Sequence, residues 1–224
     1  MSVRRLPVYL VLDTSGSMRG EPIQALKVGV QSLISSLRQD PHALEAVHIS
    51  IITFDNKARL LMPLDSLETF QTPLIECPQS GATMTGAALE LLCQCVDKDL
   101  KRNTATEKGD WRPLAFLMTD GSPNDTALYN RMVEEVARRP FATVVACAAG
   151  PKAKLEPLKK LTPHIYNLET MDSHSFAGLF MWVSSTVSSG NRTLGASSSI
   201  ELPAMDPPPD FRLPCPPPEI QIVV

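Results

Sequence analysis

Aromatic residues are scarce in this chain, 5% of 224 positions, and no cluster of Lys and Arg accompanies them. A nucleic-acid surface built on stacking and positive charge is thereby excluded. Lys and Arg number 21 against 24 Asp and Glu, a net charge of -3, which gives no pull toward polyanions. The cysteines, Cys77, Cys93, Cys95, Cys147 and Cys215, are odd in number and contain no C-x-x-C pair. That argues against both a disulfide framework and a zinc site, and reads them mostly as small buried hydrophobes in a reducing compartment. Long apolar runs are lacking too. Arg4 and Arg5 before an apolar run faintly mimic a signal peptide, but Asp13 cuts that run short, and no other stretch is long enough to span a bilayer. A cytoplasmic protein without nucleic-acid or membrane partners is expected.

What the chain does have is a hydrophobic content of 43%, enough to bury a sizeable core, and a regular alternation of apolar strands with amphipathic helices. Pro7 to Leu12 is apolar on both faces, as a central parallel strand must be, and Ile23, Leu26, Val30, Leu33, Ile34 and Leu37 then recur at helical spacing, with Pro22 in the first turn. Asp40-Pro41-His42 breaks that periodicity. A strand from Val47 to Phe54, a turn at Asp55 to Lys57 and a short antiparallel edge strand from Ala58 to Met62 follow. His48, alone among apolar neighbours, reads as a packed residue. Pro63 to Ser80 is irregular, with at most a turn of helix near Leu67 to Phe70.

A helix face through Ala87, Ala88, Leu91, Leu92, Cys95 and Val96 comes next, then a charged, solvated connection from Asp97 to Trp111. Strands at Leu114 to Thr119, Thr143 to Ala149 and His164 to Leu168 alternate with helices through Leu128 to Val136, Leu155 to Leu161, and Phe176 to Val187. Trp182 reads as a packing residue and His174 as a cap. The fold class that results is α/β: a doubly wound, mostly parallel six-stranded sheet in the order 3-2-1-4-5-6, with one antiparallel edge strand and flanking helices. The domain is expected over 1–190. Residues 191–224, dense in serine and then proline, read as an extended tail or linker.

The chemistry concentrates where apolar strands stop. Asp13-Thr14-Ser15-Gly16-Ser17 follows the first strand, and Asp120-Gly121-Ser122-Pro123-Asn124-Asp125 follows Thr119. In the expected sheet order those two strands are neighbours at the switch point, so Asp13 and Asp120 face each other across a crevice. A third loop, Ser80 to Gly86, precedes a helix. In it Ser80 or Thr83 is either a helix cap or, for Thr83, an oxygen presented toward Asp13. Two close carboxylates repel unless a cation lies between them, and carboxylate plus hydroxyl oxygens suit a hard divalent ion. Asp13, Ser15, Ser17, Thr83 and Asp120 are therefore the candidate metal set, with Mg2+ as the expected ion and Mn2+ or Ca2+ as alternatives. So little negative charge leaves the ion electrophilic, and a carboxylate from a protein partner is a natural last ligand.

These residues resemble a known family. Asp13-Thr14-Ser15-Gly16-Ser17, Gly81-Ala82-Thr83 and Thr119-Asp120-Gly121 are similar, in order and spacing, to the metal-ion-dependent adhesion site of von Willebrand factor A domains, and the likeness extends over residues 5 to about 190. The resemblance implies that Ser15, Ser17 and Thr83 ligate directly and that Asp13 and Asp120 act directly or through water. It implies a Rossmann-like fold and a non-enzymatic protein-binding module. Ala82 departs from the family, where a second glycine is common.

A closer resemblance within the family is to the TerY-like branch linked to bacterial tellurium resistance. It is carried by Arg5 to Leu10, Asp13 to Pro22, Ile51 to Asp55, Gly109 to Pro113 and Val144 to Gly150. That resemblance implies a stress-response phosphorylation system in which a Ser/Thr protein kinase and a type C metal-dependent protein phosphatase are partners.

Two alternatives compete. Haloacid-dehalogenase-like phosphatases also start from a strand ending in Asp, but they need a second Asp two residues on to protonate the leaving group, and Ser15 stands there. Their later motif is also one residue shorter than Asp120 to Asp125. The other alternative is the same scaffold without bound metal, its five positions reduced to a hydrogen-bonded cluster.

Overall fold

The computed structural model describes residues 4–78, 81–104, 108–150, 153–168 and 170–172, six helical residues between 178 and 185, and three two-residue strands beyond them. The strand β1 (Leu6–Asp13) is buried along its whole length and sits at the centre of the sheet. It pairs in parallel with β2 (Val47–Phe54) on one side and β4 (Leu114–Thr119) on the other. β3 (Ala58–Ser66) lies antiparallel on β2, while β5 (Thr143–Ala149) and β6 (Ile165–Leu168) continue from β4 in parallel. The order β3-β2-β1-β4-β5-β6 is the one the alternation of strands and helices implied. Leu12 lies beside Met118, so the two strand ends that carry the carboxylates are adjacent.

Alternation along β1 divides the core in two. Val8, Leu10 and Leu12 face one cluster with Leu26, Val30 and Leu33 of α1 (Glu21–Leu37). Tyr9 and Val11 face the other, with Leu89 and Leu92 of α3 (Thr85–Asp99) and Tyr129 and Met132 of α4 (Thr126–Ala137). Each fully buried Leu or Val contributes about 1.5–3 kcal/mol of transfer free energy, so this sandwiching fixes which end of every strand meets which loop. α5 (Leu155–Leu161) covers β5 and β6.

Several local expectations change. Asp40-Pro41-His42 starts a helix instead of merely ending one: α2 (Pro41–Ala46) has Pro41 in its first turn, and the Asp40 carboxylate accepts the His42 amide at 3.0 Å. β3 runs to Ser66, past Pro63, because that proline falls within the register shift between Ile49 and Ile51 on an edge strand, where its missing N–H costs no ladder bond. The connection after Asp97 is not simply solvated. Asp110 is buried beneath Arg5, which donates to both its oxygens at 2.8 and 2.6 Å and to the Asp99 carbonyl at 2.8 Å. Tyr9 Oη donates to Asp99 at 3.2 Å, and Arg4 stacks over Trp111 at 4.1 Å. His48 is half-buried and packed as expected.

Beyond 172, Phe180 and Val183 are helical and buried, with the Phe180 ring against Gly29 of α1. Phe176, Leu179 and Val187, with His174 and Trp182, lie outside the described residues. So does most of the span expected to be a tail; within it β7 (Ser199–Ile200) pairs with β9 (Ile220–Gln221), and β8 (Phe211–Arg212) lies antiparallel on β6.

Gly86 marks the crossing of α3 and α4. A Cβ there would come within 2.5 Å of the Tyr129 backbone nitrogen and 2.8 Å of the Asp125 carboxylate. Gly86→Ala is therefore expected to destabilise the protein by about 1–3 kcal/mol despite alanine's higher helix propensity, as measured by urea unfolding.

Candidate metal centre

All the candidate residues lie at the carboxyl ends of β1 and β4, or in the loop that enters α3. Asp13, the last residue of β1, is fully buried. One of its oxygens accepts the Ser15 amide at 2.8 Å and the other accepts Thr119 Oγ1 at 2.6 Å, across the seam between β1 and β4. The loop then turns through a short 3-10 segment at Gly16–Met18, which lifts Ser17 to the exposed surface above a buried Ser15. Ser15 and Ser17 hydroxyls are 3.1 Å apart, and Ser17 Oγ donates to Asp120 Oδ1 at 2.9 Å. Oxygens from two loops thus form one continuous chain.

Thr83 enters from the third side. Its backbone is clasped by Asn124, whose side-chain oxygen accepts the Thr83 amide at 2.7 Å and whose own amide donates to the Thr83 carbonyl at 2.9 Å. Thr83 Oγ1 lies against Gly121, close enough that a Cβ on that glycine would be 3.0 Å away. The Gly16 amide donates to the Gly81 carbonyl at 3.5 Å, closing the ring of loops. Thr83 does not cap α3. The helix begins at Thr85, and the amides of Gly86 and Ala87 are taken by the two oxygens of Asp125 at 3.0 and 2.8 Å. Ser80 lies outside the described residues.

Asn124, Asp125 and Thr119 act as positioning groups that the sequence pattern does not single out. Their roles depend on contacts between loops about forty to a hundred positions apart, which periodicity does not report. The linear signal for them is the polar run after Asp120, which also resembles a phosphatase motif.

Burial lifts the Asp13 carboxyl from its ordinary 3.8 to about 6; bonds from Thr119 and Ser15 oppose that shift, and the nearby Asp120 charge adds to it. Among the described residues no group of three or more His, Cys, Asp or Glu side chains converges, so the donor set here is hydroxyls supplementing two carboxylates. Those donors fit a small hard ion. At metal–oxygen bonds of about 2.1 Å, neighbouring oxygens of an octahedron are about 3.0 Å apart, which is the spacing seen between Ser15 and Ser17 and between Ser17 and Asp120.

Comparison with known proteins bears on this geometry. The family model for the von Willebrand factor type A domain matches residues 8–179. An uncharacterized protein of Synechocystis sp. is 32% identical over 126 residues, covering 53% of this chain and 26% of the relative. The chain therefore spans about a quarter of the length of that curated relative. Among solved structures, a von Willebrand factor type A protein from Catenulispora acidiphila has a TM-score of 0.63 at 16% identity, over 84% of this chain and 43% of that one. Proximal thread matrix protein 1 of the mussel byssus, with a zinc-occupied metal-ion-dependent adhesion site, scores 0.60 at 16% identity, over 81% of this chain and 48% of that one. At such identities the structures establish the fold.

Two outcomes are expected. Because Asp13 binds its proton more tightly in the folded protein than in the unfolded chain, stability in metal-free buffer falls as pH rises from about 4 to 6 and levels off above that. Asp13→Asn removes the slope, a difference of roughly 1–3 kcal/mol between pH 4.5 and 7 by urea midpoints. Asn124→Ala leaves the Thr83 amide without its acceptor. It is expected to cost about 1–2 kcal/mol and to speed hydrogen exchange at Thr83 above that of the β1 amides.

Proposed function

The chain belongs to the von Willebrand factor type A domain family, and from that premise we propose that it is a metal-dependent protein-binding module whose ion is held by Ser15, Ser17, Thr83, Asp13 and Asp120. Domains of this family commonly carry such a metal site and mediate protein interactions. The observation that carries the reading for this chain is the run of oxygens from Ser15 through Ser17 to Asp120, with Thr83 brought alongside by Asn124. Ser15, Ser17 and Thr83 would ligate directly; Asp13, already engaged by Thr119 and the Ser15 amide, would act through a water. The ion supplies a Lewis-acidic centre at the rim of the sheet. Neutral hydroxyls compensate it weakly, so it favours an Asp or Glu carboxylate from a partner.

An all-oxygen donor set favours Mg2+, with Mn2+ and Ca2+ next, over the zinc recorded in the mussel protein. A phosphatase is disfavoured because Ser15 stands where the general acid would have to be, and a serine hydroxyl is too weak an acid to protonate a leaving group at neutral pH. The scaffold without metal differs from this reading in one measurable respect, affinity for a divalent ion. The finer identity, a TerY-like component acting with a Ser/Thr kinase and a type C phosphatase, is supported by the shared runs at 5–10, 51–55, 109–113 and 144–150. A cytoplasmic site of action accords with free thiols at Cys77, Cys93, Cys95 and Cys147. No helix among the described residues is long and apolar enough to cross a membrane.

Calorimetric titration with MgCl2 tests the proposal. The wild-type chain is expected to bind one ion, and Asp13→Ala and Asp120→Ala to bind none, while circular dichroism of the variants stays that of the native fold. Asp120→Ala costs the metal-free protein little stability, whereas Asp13→Ala also leaves the Thr119 hydroxyl and the Ser15 amide without their acceptor and costs about 1–3 kcal/mol. Equal heats from both variants and the wild type would sink the reading.

A further inference from the structure

Beside the metal loops runs a cleft of about 550 Å³, lined by the start of α1, the outer ends of β2 and β3, and the segment 74–78. It shares a wall with the site. Cys77 Sγ donates to the Ser15 carbonyl at 3.1 Å, and the Asp55 carbonyl at the cleft's inner end accepts the Met84 amide at 3.1 Å, one residue from Thr83. Its rim carries Arg19, Lys27 and Arg59 against Asp55 and Glu76. Arg59 is committed to Asp55 at 2.7 Å, which neutralises both. Lys27 differs from it: it is half-buried on α1, lines the cleft, and makes no hydrogen bond or ion pair among the described residues. Between these charges the lining is mixed, with Ile23 and Leu61 beside Gln24 and Thr53, and Leu74 stands 69% exposed.

With no ion-pair partner among the described residues, Lys27 can meet an incoming carboxylate without first giving up another bond. We infer that this cleft is a second recognition site for the same partner. A peptide whose first acidic residue meets the metal runs on into the cleft, places a second Asp or Glu on Lys27, and lays an apolar side chain against Ile23, Leu61 and Leu74. The partner it fits is an acidic segment with at least two carboxylates and an interposed apolar residue. Net positive charge at the rim, reinforced by a divalent ion at the adjacent loops, gives the complementarity. The inference rests on the metal reading above.

Panning a random peptide library on the full chain in MgCl2, with elution first by EDTA and then by acid, tests it. Wild-type protein is expected to enrich peptides with two acidic residues separated by a short stretch that includes an apolar one. Lys27→Glu, a surface change on α1 checked by circular dichroism, is expected to keep the first acid and lose the second. It should also bind the wild-type peptide about fivefold more weakly, the effect of one partly exposed ion pair. The cleft is refuted if Lys27→Glu recovers the same two-acid peptides, if wild-type peptides carry a single acid, or if none is enriched. Peptides that depend on Lys27 yet resist EDTA would support the cleft while removing the metal reading.

Discussion

Thr119 donates its hydroxyl to Asp13 across the seam between β1 and β4, and the geometry of the whole rim follows from that contact. The bond joins the last residues of two adjacent parallel strands, each held on both sides by a ladder and on both faces by core. A carboxylate buried this deeply is stable only with its lone pairs occupied. Thr119 takes one oxygen and the Ser15 amide the other, and the second of these bends the chain sharply off the strand end. Ser15 and Ser17 are thereby brought over Asp13 and toward Asp120 instead of continuing along the sheet. A strand ending one residue earlier or later would turn the carboxylate to the opposite face.

The third loop is held by a different device. Thr83 has no strand beneath it, so the segment after β4 reaches over to it: Asn124 pairs with both backbone groups of Thr83, and Asp125 takes the first free amides of α3. A carboxylate at a helix N-terminus gains from the macrodipole as well as from its hydrogen bonds. Asp125 does this for α3 while sitting immediately before α4, so one residue anchors two helices. The close crossing at Gly86 keeps that anchor short.

Much of this was legible in the linear chain. Strand order followed from the alternation of apolar runs with helical periodicity, because parallel strands buried on both faces have an unmistakable composition and crossovers have one hand. The residues of the rim were legible because carboxylates and hydroxyls directly after buried strands have few other places to go. What was hidden involves partners distant in sequence. Asp110 falls in a charged connection that reads as solvated and Arg5 in a run that faintly mimics a signal peptide, and only the folded sheet brings Arg5 over Asp110 at the end opposite the rim. Asp40-Pro41 was ambiguous for another reason: the same residues that stop one helix make a good first turn for the next.

The outer border of the sheet adds a last consequence. Among the described residues β3 leaves one side of its backbone without a neighbouring strand, but Pro63 and the shifted register interrupt the row of amides that another extended chain would need for pairing. Copies of the protein are thus discouraged from zipping together edge to edge, even at high concentration. Recognition is left to side chains and to any ion they hold, so a bound segment need not be extended, and its backbone conformation is free to vary from one partner to another.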